Sequence, residues 1–116
     1  MKFDGFVGEG KKYDSEVREW NEELKDLFGF TPFEGTLNIA IRPIINEEKL
    51  LFNKNVITPF EDFNCLEGQI NGYNAYFCYS KKRNHKDIST FYVISDVHLR
   101  SKLELENRKR VEIRIK

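Results

Sequence analysis

The stretch GFTPFEGTLNIAIR, from Gly29 to Arg42, contains the expected end of a helix, a proline-containing turn and the start of a strand. From residue 37 onward, apolar residues alternate with polar or small ones, which is the period-two pattern of a half-buried strand. Thr36 and Asn38 therefore lie on the same face of that strand, two residues apart.

A hydroxyl and an amide oxygen side by side offer two neutral ligands to a hard cation such as Mg²⁺. Gly35 precedes Thr36 and permits the close approach of a ligand or of another backbone segment. The alternative is that Thr36 and Asn38 are ordinary polar residues on a solvated face. Spacing alone favours that alternative, because neutral oxygens bind Mg²⁺ weakly unless phosphate oxygens complete its coordination.

Length and composition indicate one globular domain over residues 1–116. A chain of 116 residues can bury a core but is too short for two ordinary domains. The 40% of hydrophobic and 14% of aromatic residues argue against disorder. The formal net charge of +0 argues against a dedicated nucleic-acid binder, although it leaves room for a local basic pocket.

Several features indicate a cytoplasmic protein without a membrane span. No apolar run approaches the length of a membrane helix, and the residues that follow Met1 do not resemble a signal peptide. Cys65 and Cys78 stand in separate apolar contexts without metal-ligand spacing. We therefore expect two reduced, packed thiols and no zinc site.

A glycine-punctuated loop follows the first short strand and consists of Val7, Gly8, Glu9, Gly10, Lys11 and Lys12. Such a loop could direct consecutive backbone N–H groups at a phosphate while its lysines neutralise charge. The alternative is a surface turn whose lysines are simply solvated. The loop matches neither of the common glycine-rich phosphate-binding motifs, so its sequence alone does not choose between the two.

The next segment predicts one amphipathic helix over Ser15–Phe28. Its apolar residues recur at three- and four-residue steps, and Gly29 stands where a helix-terminating glycine belongs. We expect Val17, Trp20, Leu24 and Phe28 to pack on the rest of the domain. If Trp20 is fully buried, its replacement by alanine should cost roughly 3–5 kcal/mol.

The remaining elements are short strands, which makes the fold mainly β with one substantial helix. Asn71-Gly72 between two apolar runs is a strong hairpin signal, and Pro43 is expected to stop the strand that begins at Gly35. About six strands without a βαβ rhythm favour a small closed β-barrel, because closure removes exposed strand edges.

The chain lacks the common motifs of covalent and metal-dependent catalysis, including HExxH, GxSxG and CxxC. The basic segment 80–86, which contains His85, is either an exposed connection or the rim of an anion site. The chemistry that remains open is a site that positions phosphates through backbone groups, lysines and a weakly held metal.

These pieces together resemble a known family. Gly8-Glu9-Gly10-Lys11, a helix, the string GFTPFEGTLN over residues 29–38, and a late Leu99-Arg100 are similar in order and spacing to the CTP-dependent riboflavin kinases of archaea. The resemblance covers essentially the whole chain. It implies a six-stranded cradle-loop barrel that transfers the γ-phosphate of CTP to the 5′-hydroxyl of riboflavin, giving FMN and CDP.

The resemblance also implies roles for individual residues. Thr36 and Asn38 correspond to the Mg²⁺ ligands, and Val7 to Lys12 corresponds to the loop around the nucleotide phosphates. The segment that closes on the cytidine corresponds to Val97, His98, Leu99 and Arg100. The expected partners are CTP and riboflavin or FMN, with no nucleic acid and no membrane, and the expected state is a cytoplasmic monomer.

Three departures from the family concern mainly the acceptor side. Phe6 stands where a glycine is usual, residues 106–110 lack an expected Asp-Gly-Asp turn, and the strand over residues 89–92 lacks an expected carboxylate. We therefore predict that Thr90 orients the flavin and that Asp87 or His85 acts as the base. Three alternatives stay open: a kinase with a different acceptor, a non-catalytic nucleotide- or flavin-binding barrel, and a ligand-free protein-interaction barrel.

Overall fold

The computed structural model describes residues 2–8, 14–33, 37–46, 54–57, 62–80 and 87–116. Its elements in chain order are β1 (Lys2–Val7), α1 (Asp14–Glu19), α2 (Asn21–Phe28), β2 (Leu37–Asn46), β3 (Lys54–Ile57), β4 (Asp62–Ile70), β5 (Tyr73–Ser80), β6 (Asp87–Ile94), α3 (Leu99–Lys102) and β7 (Arg110–Ile115). None of the helices described is long and apolar enough to cross a membrane.

The strands form one antiparallel sheet in the order β3-β4-β5-β6-β2-β1-β7, which an additional β4–β7 pairing closes into a barrel. Six strands make the closed ring, as the sequence predicts. The remaining strand, β3, lies outside this ring. It pairs with the same edge of β4 that β7 uses. Residues 62–65 of β4 pair with β3, and residues 68–70 pair with β7. The edge of β4 is thereby covered along most of its length.

The interior of the barrel is filled by inward-facing apolar side chains. Ile39, Leu66, Phe77 and Phe91 are fully buried there, and the rings of Phe77 and Phe91 meet edge to face at 5.8 Å. The predicted alternation along β2 is confirmed, because its residues 37, 39 and 41 are buried while 40 and 42 are exposed. The opposite face of β2, which carries Asn38, therefore lies outside the barrel.

The prediction of one continuous helix over Ser15–Phe28 is wrong. The structure has two shorter helices, α1 and α2, which meet at Trp20. Val17, Leu24 and Phe28 are buried against the outside of the barrel, as predicted, but Trp20 is only half-buried and does not belong to that cluster. At the junction Trp20 contributes its backbone, because its carbonyl accepts a hydrogen bond from the Leu24 N–H at 3.0 Å.

The prediction that Pro43 stops the strand is also wrong. β2 runs through Pro43 to Asn46, and its pairing with β6 shifts register between Ala40 and Ile45. Proline is tolerated at such an irregularity, because the ladder requires no N–H donor there. The Asn71-Gly72 hairpin is confirmed, since both residues have positive φ values, 46° and 83°, as a type I′ turn requires.

Candidate functional site

The end of β1 and the start of β2 meet at the residues that the sequence singles out. The Gly8 N–H donates a hydrogen bond of 2.7 Å to the backbone carbonyl of Asn38. A Cβ atom on residue 8 would lie only 3.3 Å from that carbonyl oxygen, so the approach suits glycine. Gly8, the second residue of the predicted phosphate loop, is therefore hydrogen-bonded directly to the predicted metal-ligand strand.

The Asn38 side chain presents an unsatisfied oxygen at this junction. Its Oδ1 is buried and has no hydrogen-bond partner among the residues that the structure describes. A buried amide oxygen normally finds a donor, because leaving it unpaired costs roughly 1–3 kcal/mol. An oxygen of this kind suits a hard cation, and no group of three or more His, Cys, Asp or Glu side chains gathers within the described ranges to offer another site. Thr36, its predicted companion, lies outside the described residues.

Asn38 begins a row of directly paired residues that crosses four strands. Asn38 pairs with Tyr92, Tyr92 with Cys78, and Cys78 with Cys65. The two cysteines are thus direct neighbours, with their Sγ atoms 2.6 Å apart, although the sequence predicted separate environments. Both are free thiols, and burial raises the pKa of Cys78 well above its ordinary value. The three residues of this row beyond Asn38 are all buried.

Arg100 connects the second predicted nucleotide segment to the first. One guanidinium nitrogen donates to the Gly8 carbonyl at 2.7 Å, and the other donates to Asn107 Oδ1 at 2.8 Å. Gly8 and Arg100 are 92 residues apart in the chain. Tertiary folding therefore brings Val7, Gly8, Asn38 and the segment that contains Arg100 together.

An exposed aromatic pair lies beside that segment. Phe33, which is 42% exposed, stacks on the imidazole of His98 with ring centroids 4.9 Å apart. His98 Nδ1 lies 2.6 Å from the Ser101 hydroxyl, and the Phe33 N–H donates to the Ser95 carbonyl at 2.8 Å. His98 and its neighbours Val97 and Leu99 are thus held in one place, with Leu99 buried in the barrel core.

A pocket of about 400 Å³ opens next to Gly8 and is lined by Phe6, Val7, Gly8, Ala40, Arg42 and Arg108. Its floor is apolar, and the Arg42 guanidinium lies 5.9 Å from the centre of the Phe6 ring. Arg108 is a residue of this pocket that the sequence reading missed. The available signal was Asn107, a turn-forming residue that precedes Arg108 in a polar run between two apolar segments.

The predicted acceptor residues do not all gather at Asn38. Thr90 pairs with Ala40 and lies on the same face of β6 as Tyr92, so it borders the open part of the site. Asp87 instead pairs with Asn46 at the other end of β2. Tyr92 lies five positions after Asp87 along β6, or about 16 Å away at the usual rise of a strand. His85 and residues 9–12 of the predicted phosphate loop lie outside the described residues.

Comparison with known proteins supplies an independent line of evidence. The family model described as CTP-dep_RFKase, domain of unknown function DUF120, matches residues 3–115. A protein of Methanococcus aeolicus named riboflavin kinase is 32% identical over an alignment of 125 residues, gaps included. The alignment covers 93% of this chain and 90% of that protein.

Riboflavin kinases of Picrophilus torridus and Archaeoglobus fulgidus are 31% and 30% identical. These matches cover 92% and 94% of this chain but only 52% and 50% of those proteins. The chain therefore spans nearly all of the Methanococcus relative and about half the length of the other two.

Proposed function

Because the chain belongs to the CTP-dependent riboflavin kinase family, we propose that it transfers the γ-phosphoryl group of CTP to the 5′-hydroxyl of riboflavin, giving FMN and CDP. The observation that carries the proposal is the buried, unpaired Asn38 Oδ1 beside Gly8. The family match covers both residues. A neutral oxygen next to a phosphate-binding loop is suited to a metal–nucleotide complex and has no evident structural use.

Asn38 Oδ1 and the Thr36 hydroxyl would hold Mg²⁺ in this site. The bound ion would neutralise phosphate charge as it develops during transfer. Two neutral ligands are enough only when phosphate oxygens share the ion, which makes tight metal binding conditional on the nucleotide. The same condition explains why the site needs no cluster of carboxylates.

The backbone around Gly8 provides the positioning in this proposal. Its N–H is used by the Asn38 carbonyl and its carbonyl by Arg100, so Gly8 itself is held from both sides. The loop that follows therefore starts from a rigid point, and its N–H groups and the lysines at 11 and 12 would surround the phosphates. Phosphoryl transfer gains most of its rate from such positioning and from charge neutralisation.

The acceptor would lie over the open face that Ala40 and Thr90 form. Thr90 would orient the flavin through its hydroxyl, and Tyr92 takes the strand position where the family resemblance predicts a carboxylate. Tyr92 is only 8% exposed and packs among apolar residues. A loose transition state demands little of a general base. We therefore propose that alignment of the riboflavin hydroxyl does most of the work and that little is asked of a base, for which Asp87 and His85 are the candidates from the sequence.

The test is to incubate the protein with riboflavin, Mg²⁺ and each of the four common nucleoside triphosphates separately, and to measure FMN by chromatography. We expect FMN with CTP and much less with the purine nucleotides. Equal rates with all four nucleotides would contradict the CTP specificity but would still show riboflavin kinase activity. No FMN with any donor, in a protein that binds riboflavin and CDP, would leave a non-catalytic binding barrel.

That second candidate has one specific observation in its favour. The described part of the acceptor face offers no carboxylate near Asn38, because Tyr92 occupies the paired position on β6. A binding protein would need no group to accept the riboflavin proton. Calorimetric titration with riboflavin and CDP, run beside the FMN assay, separates binding from turnover.

A further inference from the structure

The turn that leads into β7 is fastened to the end of β1. The Arg108 N–H donates a hydrogen bond of 2.6 Å to the Val7 carbonyl, and the Val7 N–H donates one of 2.9 Å to the Lys109 carbonyl. These two bonds fix Arg108 beside Val7 and Gly8, where it lines the 400 Å³ pocket. Its position therefore depends on the same strand end that starts the phosphate loop.

The backbone of Arg108 adopts a conformation that arginine does not favour. Its φ is 68°, in the left-handed region that glycine and asparagine occupy most readily. Of the other two described non-glycine residues with positive φ, Asn71 forms the β4–β5 hairpin and Glu104, with a φ of 53°, lies in the turn after α3. An arginine side chain does nothing for a turn of this kind. Its presence is better explained by a ligand that the guanidinium could bind.

Among the described residues, the Arg108 guanidinium has neither an ion pair nor a hydrogen bond, and it is exposed to solvent. Two nearby arginines differ from it, since Arg110 pairs with Asp4 at 2.9 Å and Arg100 bonds to Gly8 and Asn107. Arg42 lies on the same pocket, against Phe6. The pocket therefore joins an apolar floor to two cationic side chains, and Arg108 is the one whose backbone is hydrogen-bonded to Val7, the neighbour of Gly8.

Resting on the proposed function, we propose that Arg108 binds a phosphate oxygen of the nucleotide and acts as a positioning residue for transfer. A guanidinium suits this role because its planar N–H groups bind phosphate in pairs and its charge persists at every physiological pH. The family resemblance predicts Asp-Gly-Asp in this segment, so the contact would be particular to this chain.

The test measures CDP and riboflavin affinity by calorimetry for wild type, Arg108→Ala, Arg108→Lys and Arg108→Gly, with FMN formation assayed in parallel. We expect Arg108→Ala and Arg108→Gly to raise the Kd for CDP by roughly ten- to a hundredfold, the range of a lost charged hydrogen bond. Arg108→Lys should recover part of the loss. Riboflavin has no phosphate, so its Kd should change less than twofold. Lys102→Ala, which removes an exposed charge from α3, is the control and should change neither Kd.

Arg108→Gly removes the side chain without disturbing the turn, because glycine adopts this backbone conformation without strain. A loss of CDP affinity in this variant is therefore not due to misfolding. If Arg108→Ala and Arg108→Gly bind CDP as wild type does while wild type forms FMN, the inference is overturned and the proposed function stands. An equal loss of riboflavin and CDP affinity would also overturn it, since Arg108 would then shape the pocket as a whole. If wild type neither binds CDP nor forms FMN, the proposed function fails together with the inference.

Discussion

At the scale of single residues, the backbone and the side chain of Asn38 have different roles. Its backbone carbonyl belongs to the fold, because it accepts the Gly8 N–H, whereas its side-chain Oδ1 has no hydrogen-bond partner in the described part of the chain. Asn38→Ala should therefore leave the thermal midpoint nearly unchanged. It should reduce FMN formation by roughly a hundredfold or more, since metal stabilisation of the transition state is worth several kcal/mol. Melting curves and FMN chromatography together test the prediction.

Asn64 is a matched control for Asn38. Its Oδ1 is also buried and finds no partner within the described residues, but its Nδ2 donates to the Tyr79 hydroxyl at 3.2 Å, away from the proposed site. Asn64→Ala should lower stability by about 1 kcal/mol through the lost hydrogen bond. It should leave the specific rate of FMN formation unchanged. Equal activity losses in the two variants would mean that Asn38 acts through stability rather than as a ligand.

The cysteine pair gives a residue-scale prediction about pH. Burial raises the pKa of Cys78 well above its ordinary value of 9.0, so the folded protein holds a neutral thiol. Its contribution to stability is fully present below about pH 9 and is lost as the pH rises through the raised pKa, because only the unfolded thiol ionises readily there. Denaturant midpoints should therefore fall more steeply above pH 9 in wild type than in Cys78→Ser. Identical slopes in the two proteins would contradict the assignment.

At the scale of elements, the helical segment is anchored by α2 and not by its aromatic junction residue. Leu24 is 2% exposed in the cluster beneath α2, whereas Trp20 is half-buried. Leu24→Ala should cost roughly 2–5 kcal/mol, and Trp20→Ala should cost clearly less. Urea unfolding of both variants measures the difference. A larger loss for Trp20→Ala would mean that the junction between α1 and α2 stabilises the segment.

At the scale of the whole molecule, closure of the barrel depends on Gly68. Gly68 pairs with Ile115 where β4 meets β7, and a Cβ atom there would collide with the Arg114 carbonyl oxygen. Gly68→Ala should destabilise the protein by roughly 1–3 kcal/mol and increase amide exchange in both strands. Gln69→Ala changes an adjacent side chain on the same strand without adding atoms near the β7 backbone. If amide exchange in β4 and β7 increases as much in Gln69→Ala as in Gly68→Ala, then the steric conflict at Gly68 does not cause the increase.

Local pattern in the sequence determined the strands, the Asn71-Gly72 hairpin and the identity of the inward face of β2. Each depends on neighbours within a few residues, which alternation and turn chemistry report directly. The same local rules failed at Pro43 and Trp20. A register shift in β2 accommodates Pro43, and at Trp20 one amphipathic pattern divides into two helices. Periodicity reports which residues are apolar but not where packing interrupts an element.

The sequence also pointed to Val7, Gly8, Asn38 and Arg100 as parts of one site, through motif order and not through any local property. Only the tertiary structure decided how they meet, because the Gly8–Asn38 and Gly8–Arg100 hydrogen bonds join residues far apart in the chain. It also made Cys65 and Cys78 direct partners and put Arg108 beside the site. Such contacts follow from strand register and barrel closure. Because both depend on the whole chain, no short stretch of sequence predicts them.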